Sequence, residues 1–556
     1  MSFWSAIRRW VGCALGLLIL FQSVVALADG PEGSVYVPLD SWVYVAFDRL
    51  AALGTINKQF VGLRPWTRIQ CAQLVVEADE TLQYAEARNM DASQLYSDLD
   101  QEFSPEISLI NGNSMRQARM ESTYTRVMGI SGTPLRDGFH FGQTLANDFG
   151  RPFDTGFNNV TGFSAQASGG RFFAYVRGEY QHSPAYAGLT PAQQSYLEQL
   201  DGTPTAPYSQ ATGPIDRFES LDTYAGMRLG NFDVTFGKQS LWWGPGIMGG
   251  MLISDNINPL LMLKVNQVEP IVLPGILERL GPVRVQAFLG RLANYHDPPT
   301  PYIHGEKILL KPTPNLEMGF SRTTLAFGQG IPFTFGNLFA TYLSVSDICC
   351  IANSQDFPGK RQGGLDFSYR LPHLHNWLTI YNESFTADDV SPVVNPGRAF
   401  HNPGIYLSHI PRLPKFDFRF ELANTQWSRE LPYVSFFYKD GYTSNGFLIG
   451  NTVGSRGNAI DTSTTYWLSS RKRVQVGWHE QRVSKELIPS GGAQNSLRVK
   501  ADWFVQKQME LSFLAQHERW AFPFLATGKQ ANNIVSLQFT VYPEKLWTRT
   551  ALRNSD

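Results

Sequence analysis

The segment from Lys415 to Asn424, KFDFRFELAN, alternates between apolar and charged side chains. The apolar residues begin at Phe416 and recur at every second position, and the charged residues between them are Asp417, Arg419 and Glu421. Successive side chains of a β-strand point to opposite faces of the sheet. The segment is therefore predicted to be a strand with one apolar face and one charged face.

The same period of two recurs through the last three quarters of the chain. We count roughly 16 to 18 such segments between about residue 113 and Tyr542, which is typical of an all-β chain. In the first of them, Ala118, Met120 and Tyr124 are predicted to share the apolar face. Further clear examples are 283–290, 365–371, 497–505, 509–516 and 535–541.

Two architectures can use strands of this kind. A soluble sandwich buries the apolar faces between two sheets, whereas a membrane barrel turns them to lipid and encloses the polar faces in a lumen. A predicted signal peptide, a run of strands without domain-sized breaks and aromatic residues near strand ends favour a transmembrane antiparallel β-barrel over tandem sandwiches. The charged fraction of 17% is also low for a soluble surface. Aromatic residues near predicted strand ends, as in the girdles of membrane barrels, are Trp377, Phe385, Tyr433, Trp503 and Trp520.

The N-terminus has the features of a secretory signal peptide over residues 1–28. Arg8 and Arg9 precede an apolar run, and Ala26-Leu27-Ala28 fits a cleavage site. A membrane anchor is the alternative, but the apolar run is shorter than the roughly 20 residues that a spanning helix needs. No run of that length occurs elsewhere, so spanning helices are not expected in the mature chain.

Residues 29–110 are predicted to form a small helical module, and residues 111–556 the barrel. Asp40 or Ser41 can cap a first helix, and Thr67 with Gln70 fits a capping box for a second. A third helix is expected from about Ala92 to Phe103, with its end marked by Pro105.

The charge pattern limits the partners of the chain. The formal net charge is −1, which argues against a broad electrostatic contact with nucleic acid. A lumen lined by charges of both signs suits a hydrophilic solute or polymer. Long connections are expected near 183–214, 241–274, 294–311 and 346–360, and connections of this length are typically functional or fold inward as plugs.

Three cysteines follow the predicted leader, namely Cys71, Cys349 and Cys350. An odd number is a poor basis for a disulfide framework, and the state of all three stays open. No spacing of histidine and cysteine indicates a metal site, and no cofactor is predicted.

Four segments resemble the Wzi-type capsule-assembly proteins of the bacterial outer membrane. They are Val37–Arg68, the GKQSLWWGPG segment Gly237–Gly246, the SDNINP segment Ser254–Pro259 and the KPTPNLEMGFSR segment Lys311–Arg322. The resemblance implies an outer-membrane barrel of about 18 strands with a periplasmic helical bundle and surface loops. It also implies a lectin-like protein that binds exported capsular polysaccharide and helps to retain it at the cell surface, with outer-membrane lipid and the capsule-export machinery as further partners.

One departure concerns the end of the barrel. Membrane barrels of this class usually finish on an aromatic residue, but this chain continues past Tyr542 to Asp556. Either the assembly signal is internal, or the strand that ends near Tyr542 is not the closing strand.

Five residues are candidates for saccharide contacts. Trp242 and Trp243 precede a Gly-Pro-Gly turn, and indole faces stack well on sugar rings. His304, Lys307 and Arg322 flank another family-like segment, and basic side chains can donate hydrogen bonds to hydroxyls and uronate carboxylates. The alternatives are tryptophans that pack a loop or the membrane interface, and ion pairs that rigidify the lumen.

Catalysis is not predicted. His479-Glu480 and Asp388-Asp389 are better explained by solvation, and Ser408 and His409 are adjacent, so on a strand they would face opposite sides. Common nucleophile and phosphate-binding motifs are missing from the sequence. A binding protein is therefore favoured, with a sugar-diffusion channel and a barrel-wall hydrolase as alternatives.

Overall fold

The computed structural model describes residues 32–84, 90–202, 210–331, 333–343, 359–372, 374, 377–387, 392, 396–410, 412–428, 430–543 and 546–552. The predicted leader and the pairs Cys349-Cys350 and Asp388-Asp389 lie outside these residues. None of the described helices is long and apolar enough to cross a membrane.

Among the described residues, 18 long antiparallel strands form one closed barrel, which confirms the predicted fold class. Each strand pairs with the next along the chain. In chain order the strands, labelled β1 to β18, are Asn113–Ser131, Gly156–Gly169, Phe172–Ser183, Ile215–Leu229, Phe232–Gln239, Leu260–Gln267, Pro282–Arg291, Tyr302–Thr313, Leu316–Ala326, Lys360–Arg370, Leu378–Thr386, Phe400–Leu407, Phe416–Asn424, Gly457–Ser469, Lys472–Val483, Gly492–Gln506, Met509–Ala521 and Gln530–Val541.

The barrel closes between its first and last long strands. Thr123 of β1 lies opposite Val541 of β18, and the pairing continues to Ser131 opposite Asn533. A short strand, Leu546–Leu552, pairs with the first residues of β1 beyond this seam. The strand that ends next to Tyr542 is thus the closing one, and the extra residues continue past it.

The alternation of β13 has the predicted consequence. Arg419 points into the lumen and donates to Asp48 at 3.2 Å, and Glu421 accepts a hydrogen bond from the backbone N–H of Ile247 at 2.7 Å. On other strands the apolar row faces outward, as shown by Val476 and Leu497, which are 47% and 46% exposed. The charged rows therefore line the interior.

The prediction for β1 was wrong for the residues that follow Glu121. Tyr124 lies in the lumen, where its hydroxyl donates to Glu179 at 2.5 Å. The pairing of β1 with β2 shifts between Met120 and Ser122 because a bulge inserts one residue there. A bulge of this kind exchanges the two faces of all later residues, so an uninterrupted period of two fails beyond it.

Three helices precede the barrel and two lie in its connections. The first three are α1 Trp42–Ala52, α2 Arg68–Gln83 and α3 Met90–Ile110, and the others are α4 Pro191–Asp201 and α5 Phe335–Leu343. Ser41 caps α1, and the capping box predicted for Thr67 and Gln70 is present at α2. We call residues 32–110 the helical module; its apolar core includes Phe47, Leu50, Trp66, Leu99 and Phe103.

The predicted end of the third helix was wrong, because α3 continues through Pro105 to Ile110. Proline removes one backbone hydrogen bond from the turn that contains it. Arg68 of α2 holds both sides of this turn, with contacts of 2.9 Å to Glu102 and 2.7 Å to Glu106. These ion pairs compensate for the missing hydrogen bond and keep the last turn helical.

The helical module fills the mouth of the barrel at which the short turns lie, which we call the module end. Arg49 donates to the carbonyls of Ser408 at 3.1 Å and Pro414 at 2.9 Å. In the opposite sense, Arg370 of the barrel wall donates to the carbonyl of Ala51 at 2.8 Å. The long connections lie at the other mouth, which we call the loop end.

Two connections from the loop end fold into the lumen. They span residues 240–259 between β5 and β6, and residues 425–456 between β13 and β14. Inward plugs were expected, but two expected connections were too long, because 241–274 contains β6 and 294–311 contains the start of β8.

Candidate functional site

The lumen has two halves with different contents. The packed half, inside β6 to β12, is filled by the connections 240–259 and 425–456 and holds the largest apolar core of the barrel. The open half, inside β14 to β18 and β1, contains a cavity. The packed core includes Phe60, Trp243, Leu252, Phe288, Phe385 and Tyr433.

The tryptophan pair lies in the packed half. Trp243 is 2% exposed, its indole N–H donates to Gln286 at 2.9 Å, and its ring lies 5.6 Å from the ring of Phe288. Trp242 and Trp243 also form a short ladder with Leu63 and Arg64 of the helical module. The indole of Trp243 is therefore engaged by protein groups, whereas the buried indole N–H of Trp242 has no hydrogen-bond partner among the described residues. The predicted contact of both tryptophans with a saccharide stays a prediction.

The Gly-Pro-Gly turn after the tryptophans is held by two glutamates of the barrel wall. Glu383 accepts from the N–H groups of Gly246 at 2.7 Å and Met251 at 2.8 Å. Gly244 has φ near +121°, and a Cβ at this position would collide with the Glu383 carboxylate. The positive φ and this collision explain why residue 244 is a glycine. Glu421 accepts from the backbone N–H groups of Ile247 at 2.7 Å and Met248 at 2.8 Å.

The other three candidates lie on two sides of the wall. Lys307 points into the packed half, is 1% exposed and contacts Asp366 at 2.6 Å. His304 and Arg322 point to the outside of the barrel, where α5 covers them through contacts with Thr341. The structure does not bring the five candidates into one site, and a role for them in saccharide binding stays a prediction.

The open half contains a cavity of about 770 Å³, which reaches from the helical module to the connections at the loop end. Its lining holds 12 arginine and lysine side chains against 9 aspartate and glutamate side chains. Most of the remaining lining carries hydroxyl or amide groups, for example Ser463, Gln475, Ser496, Gln516 and Gln538. Such a surface can exchange hydrogen bonds with a strongly hydrated ligand.

One wall of the cavity presents ionic groups with partial exposure. Arg498 pairs with Asp461 and is 39% exposed, whereas Lys500 lies 3.8 Å from Asp502 and is 50% exposed. Arg473 approaches the same Asp502 at 2.6 Å. Because Arg498 and Lys500 keep part of their surface in the cavity, they retain capacity to donate to a ligand.

The opposite wall is held by buried ion pairs. Asp148 contacts Arg126 at 2.7 Å and Arg151 at 2.6 Å. Burial by itself raises the pKa of the Asp148 carboxyl, but the two guanidinium groups outweigh it and lower the pKa below its ordinary value. Asp40 of the helical module pairs with Arg177 of β3 at 2.7 Å, which lowers its pKa in the same way despite burial.

A roof of connections covers the open half at the loop end. It combines residues 132–155, α4, residues 484–491 and residues 522–529. A small apolar core joins these segments and includes Leu135, Phe141, Leu197, Ile488, Trp520 and Phe522.

His140 links α4 to the connection 132–155 within the roof. Its Nδ1 lies 2.7 Å from Asp137 and its Nε2 lies 3.0 Å from Asp201 at the end of α4. Burial lowers the pKa of His140, but the two carboxylates have the larger effect and raise it to about 10. The imidazole is thus a cation at neutral pH and bridges two connections that are distant in sequence.

Sequence reasoning identified the cavity's charged rows but not the cavity. The alternation of Arg498, Lys500 and Asp502 correctly predicted a lumenal face. The connections decide which part of that face is covered, and they carry no periodic signal. In the described residues, no group of three or more histidine, cysteine, aspartate or glutamate side chains is arranged to hold a metal ion.

Comparisons with known proteins agree with this architecture. A family model described as capsule assembly protein Wzi matches residues 126–535. A Klebsiella pneumoniae protein, described as an uncharacterized 55.8 kDa protein in the cps region, is 25% identical over 178 residues. That match covers 32% of this chain and 34% of the Klebsiella protein, so the chain spans about a third of that relative's length.

A solved structure from Escherichia coli has a similar fold. It is described as Wzi, an outer membrane protein involved in group 1 capsule assembly and a carbohydrate-binding β-barrel. The TM-score is 0.67 at 16% sequence identity, over 92% of this chain and 100% of the E. coli chain. At this identity the similarity establishes the fold.

Proposed function

The chain belongs to the capsule assembly protein Wzi family, and we propose that its open half binds a segment of capsular or other extracellular polysaccharide. Through this contact the protein helps to assemble the polymer or retain it at the cell surface. The E. coli relative, described as carbohydrate-binding, supports the proposal through the shared fold and family.

The cavity of the open half is the observation that carries the proposal. Its volume of about 770 Å³ lies within the range of roughly 300–1,000 Å³ that is usual for ligand sites. Its lining is dominated by charged, hydroxyl and amide groups, which match the hydroxyls of a sugar better than an apolar ligand. The packed half, in contrast, offers little room.

Charge favours an acidic saccharide over a neutral one. Arginine and lysine exceed aspartate and glutamate by 12 to 9 in the lining. Several of these groups are neutralised by ion pairs, but Lys500 keeps half of its surface exposed. Charge-assisted hydrogen bonds to uronate carboxylates are stronger than those to hydroxyls, so a cationic surplus selects for acidic units.

The orientation of the barrel is part of the same proposal. Outer-membrane barrels have short periplasmic turns and longer connections outside the cell. The helical module then faces the periplasm, where it can meet the capsule-export machinery, and the roof faces the cell surface. Outer-membrane lipid surrounds the apolar outward faces of the strands.

The binding test uses purified protein in detergent and oligosaccharides of the host capsule, acidic and neutral. Arg498→Gln combined with Lys500→Gln is expected to weaken binding of the acidic oligosaccharide by about 1–3 kcal/mol in total, because two cationic donors are lost. Arg482→Gln is the control, because Arg482 is 70% exposed outside the cavity lining. Equal affinity of the double variant and the wild type would contradict the proposed site.

The same assay tests the tryptophan prediction. Trp242→Phe with Trp243→Phe keeps aromatic volume in the packed half. If this variant loses affinity while the Arg498 and Lys500 variant keeps it, the saccharide contacts the packed half and not the cavity.

A cellular experiment tests the role in retention. Deletion of the gene is expected to release polysaccharide into the medium while synthesis continues. Re-expression of the Arg498→Gln, Lys500→Gln protein should restore the barrel to the membrane without restoring retention. Unchanged surface polysaccharide after deletion would refute the role in retention.

Two other functions are separated from binding by direct measurements. Large steady conductance in a planar bilayer would support a sugar-diffusion channel, although the helical module and the inward connections oppose an open pore. We propose binding without catalysis, and turnover of a labelled capsular polysaccharide or a phospholipid would contradict this.

A further inference from the structure

Helix α5 lies on the outside of the barrel wall, against the loop ends of β8 and β9. The inward row of β8 includes Ile303, which belongs to the packed core, and Lys307, which contacts Asp366. His304 and Glu306 alternate with them and therefore point outward. Ile308, next in the outward row, is 45% exposed, as expected for a residue that faces lipid.

Strand β9 extends this outward polar patch. Arg322 lies directly opposite Glu306, and Thr324 lies directly opposite His304. Directly opposed residues of an antiparallel pair point to the same side of the sheet. An imidazole, a carboxylate and a guanidinium group thus share the outer surface of the barrel, which is costly where it faces hydrocarbon.

Helix α5 covers this patch and satisfies its polar groups. The Nε2 of His304 lies 3.1 Å from the hydroxyl of Thr341, and the Tyr342 hydroxyl donates to Glu306 at 2.9 Å. The rings of His304 and Tyr342 stack with centroids 4.6 Å apart. As a result His304 is only 1% exposed although it points away from the lumen.

Arg322 holds the end of the helix. It donates to the carbonyl of Thr341 at 2.6 Å and to that of Tyr342 at 3.0 Å. The last carbonyls of a helix have no partner within the helix, and a cation at this end also interacts favourably with the helix dipole. The wall thus fixes the position and the orientation of α5.

The other face of α5 is apolar and exposed. Phe335 and Phe339 are 55% and 59% exposed and lie one helical turn apart, so they share a face. Phe333, just before the helix, is 38% exposed. Ile308 lies only two residues along β8 from Glu306, or roughly 7 Å, so this aromatic face is continuous with the lipid-facing surface of the strands.

We propose that α5 is an interfacial anchor that inserts Phe335 and Phe339 into the outer leaflet of the membrane. Amphipathic helices lie in the membrane plane with their apolar face at the boundary between headgroups and acyl chains. The helix hides the polar patch on one side and contacts lipid on the other. The occupant of the aromatic face is lipid, and the function of α5 is distinct from that of the lumen.

The test is a spin-label accessibility measurement on the full chain in phosphatidylethanolamine and phosphatidylglycerol vesicles. Phe339→Cys is labelled in a background whose native cysteines are replaced by serine. Ile308→Cys provides the lipid reference and Phe436→Cys, at a residue that is 83% exposed in the connection 425–456, provides the water reference. Heat-modifiable migration confirms that each labelled barrel is folded.

We expect the label at 339 to collide with oxygen more than with a water-soluble nickel chelate, as the label at 308 does. A ratio like that at 436 would overturn the proposal, because the face would then contact water. Low accessibility to both reagents would overturn it as well, because protein would then cover the face.

A second variant tests how the wall holds the helix. Arg322→Gln removes the charged donor at the end of α5, and we expect the label at 339 to gain mobility in its spectrum. Arg482→Gln, an outward arginine at the loop end without contact to α5, should leave the spectrum unchanged. Equal spectra for the two variants would contradict the anchoring role of Arg322.

Discussion

Two lysines show how the halves of the lumen differ. Lys307 and Lys500 are both inward-facing residues of barrel strands, and both lie near an aspartate. Lys307 is 1% exposed and 2.6 Å from Asp366, whereas Lys500 is 50% exposed and 3.8 Å from Asp502. The wall places both side chains in the lumen, but the connections of the packed half cover Lys307 and bury its contact, whereas Lys500 faces the cavity.

The same contrast applies to the aromatic residues. Trp243 in the packed half is surrounded by protein, whereas Trp478 on the outward face of β15 is 43% exposed. Whether a tryptophan is a core residue, a membrane-facing residue or a candidate ligand contact therefore depends on which protein segments cover its indole. The strand alternation alone does not decide it. The following expected outcomes test this division, from the largest effect to the smallest.

Trp243→Ala should destabilise the protein most, by about 3–5 kcal/mol, because it leaves a cavity in a close-packed core and removes the partner of Gln286. Thermal unfolding in detergent, followed by near-UV circular dichroism, measures the effect. Trp478→Ala is the matched control and should cost clearly less. Equal losses would mean that the packed half is no more consolidated than the outer wall.

Glu383→Gln should cost about 1–3 kcal/mol, because one of two buried N–H groups of the 240–259 connection loses its acceptor. The loosened connection should admit ions, which appears as more frequent openings in planar-bilayer recordings. Glu510→Gln, in the open half, removes a carboxylate that accepts from the side-chain hydroxyls of Ser512 and Tyr542, and it should not alter the recordings. If both variants conduct alike, the glutamates do not hold the plug.

The roof of the open half should weaken at alkaline pH. The pKa of His140 is raised to about 10 in the folded protein, against about 6.5 in an unfolded chain. A raised pKa contributes its full stabilisation below pH 6.5, and this contribution is lost as the pH rises through 10. Between these values the stability contributed by His140 declines steadily as the pH rises.

The measurement is the difference in stability between wild type and His140→Asn as a function of pH. This difference should shrink from about pH 6.5 to pH 10, because asparagine has no titrating proton. A difference that stays constant across this window would show that His140 does not bridge Asp137 and Asp201 as a cation.

Lys500→Gln should have the smallest effect on stability, within about 0.5 kcal/mol, because exposed charges contribute little to folding. The same change should reduce the affinity for acidic oligosaccharides under the proposed function. Thermal unfolding and calorimetric titration on one sample separate the two effects. A large loss of stability would place Lys500 among structural residues like Lys307.

The barrel could be predicted from the sequence because its signal is local. The segment KFDFRFELAN shows the two faces of β13 directly, and the capping box at Thr67 and Gln70 marks the start of α2. The prediction failed where local rules compete with contacts distant in sequence. The α3 helix passes Pro105 because Arg68 joins Glu102 to Glu106, and β1 exchanges faces at a bulge.

Strand β6 was missed for a related reason. Its sequence, LLMLKVNQ, begins with four apolar residues, because Leu260 and Met262 on its inward face pack into the lumenal core. Its outward face is apolar as well, since Leu261 and Val265 are 43% and 36% exposed on the side that faces lipid, so the apolar–polar alternation on which the prediction depended is lost. The five predicted site residues lie in different places because connections or α5 cover them. Such burial leaves no periodic signal in the sequence.

The short link between the helical module and the barrel has a mechanical consequence. Only Asn111 and Gly112 separate α3 from β1, and two residues span at most about 7 Å. A module that detached would remain beside the mouth at a very high effective concentration, so it would rebind before it could diffuse away. A periplasmic protein that pulls on the helical module must therefore break many contacts at once. The module closes the barrel mouth again as soon as the force is removed.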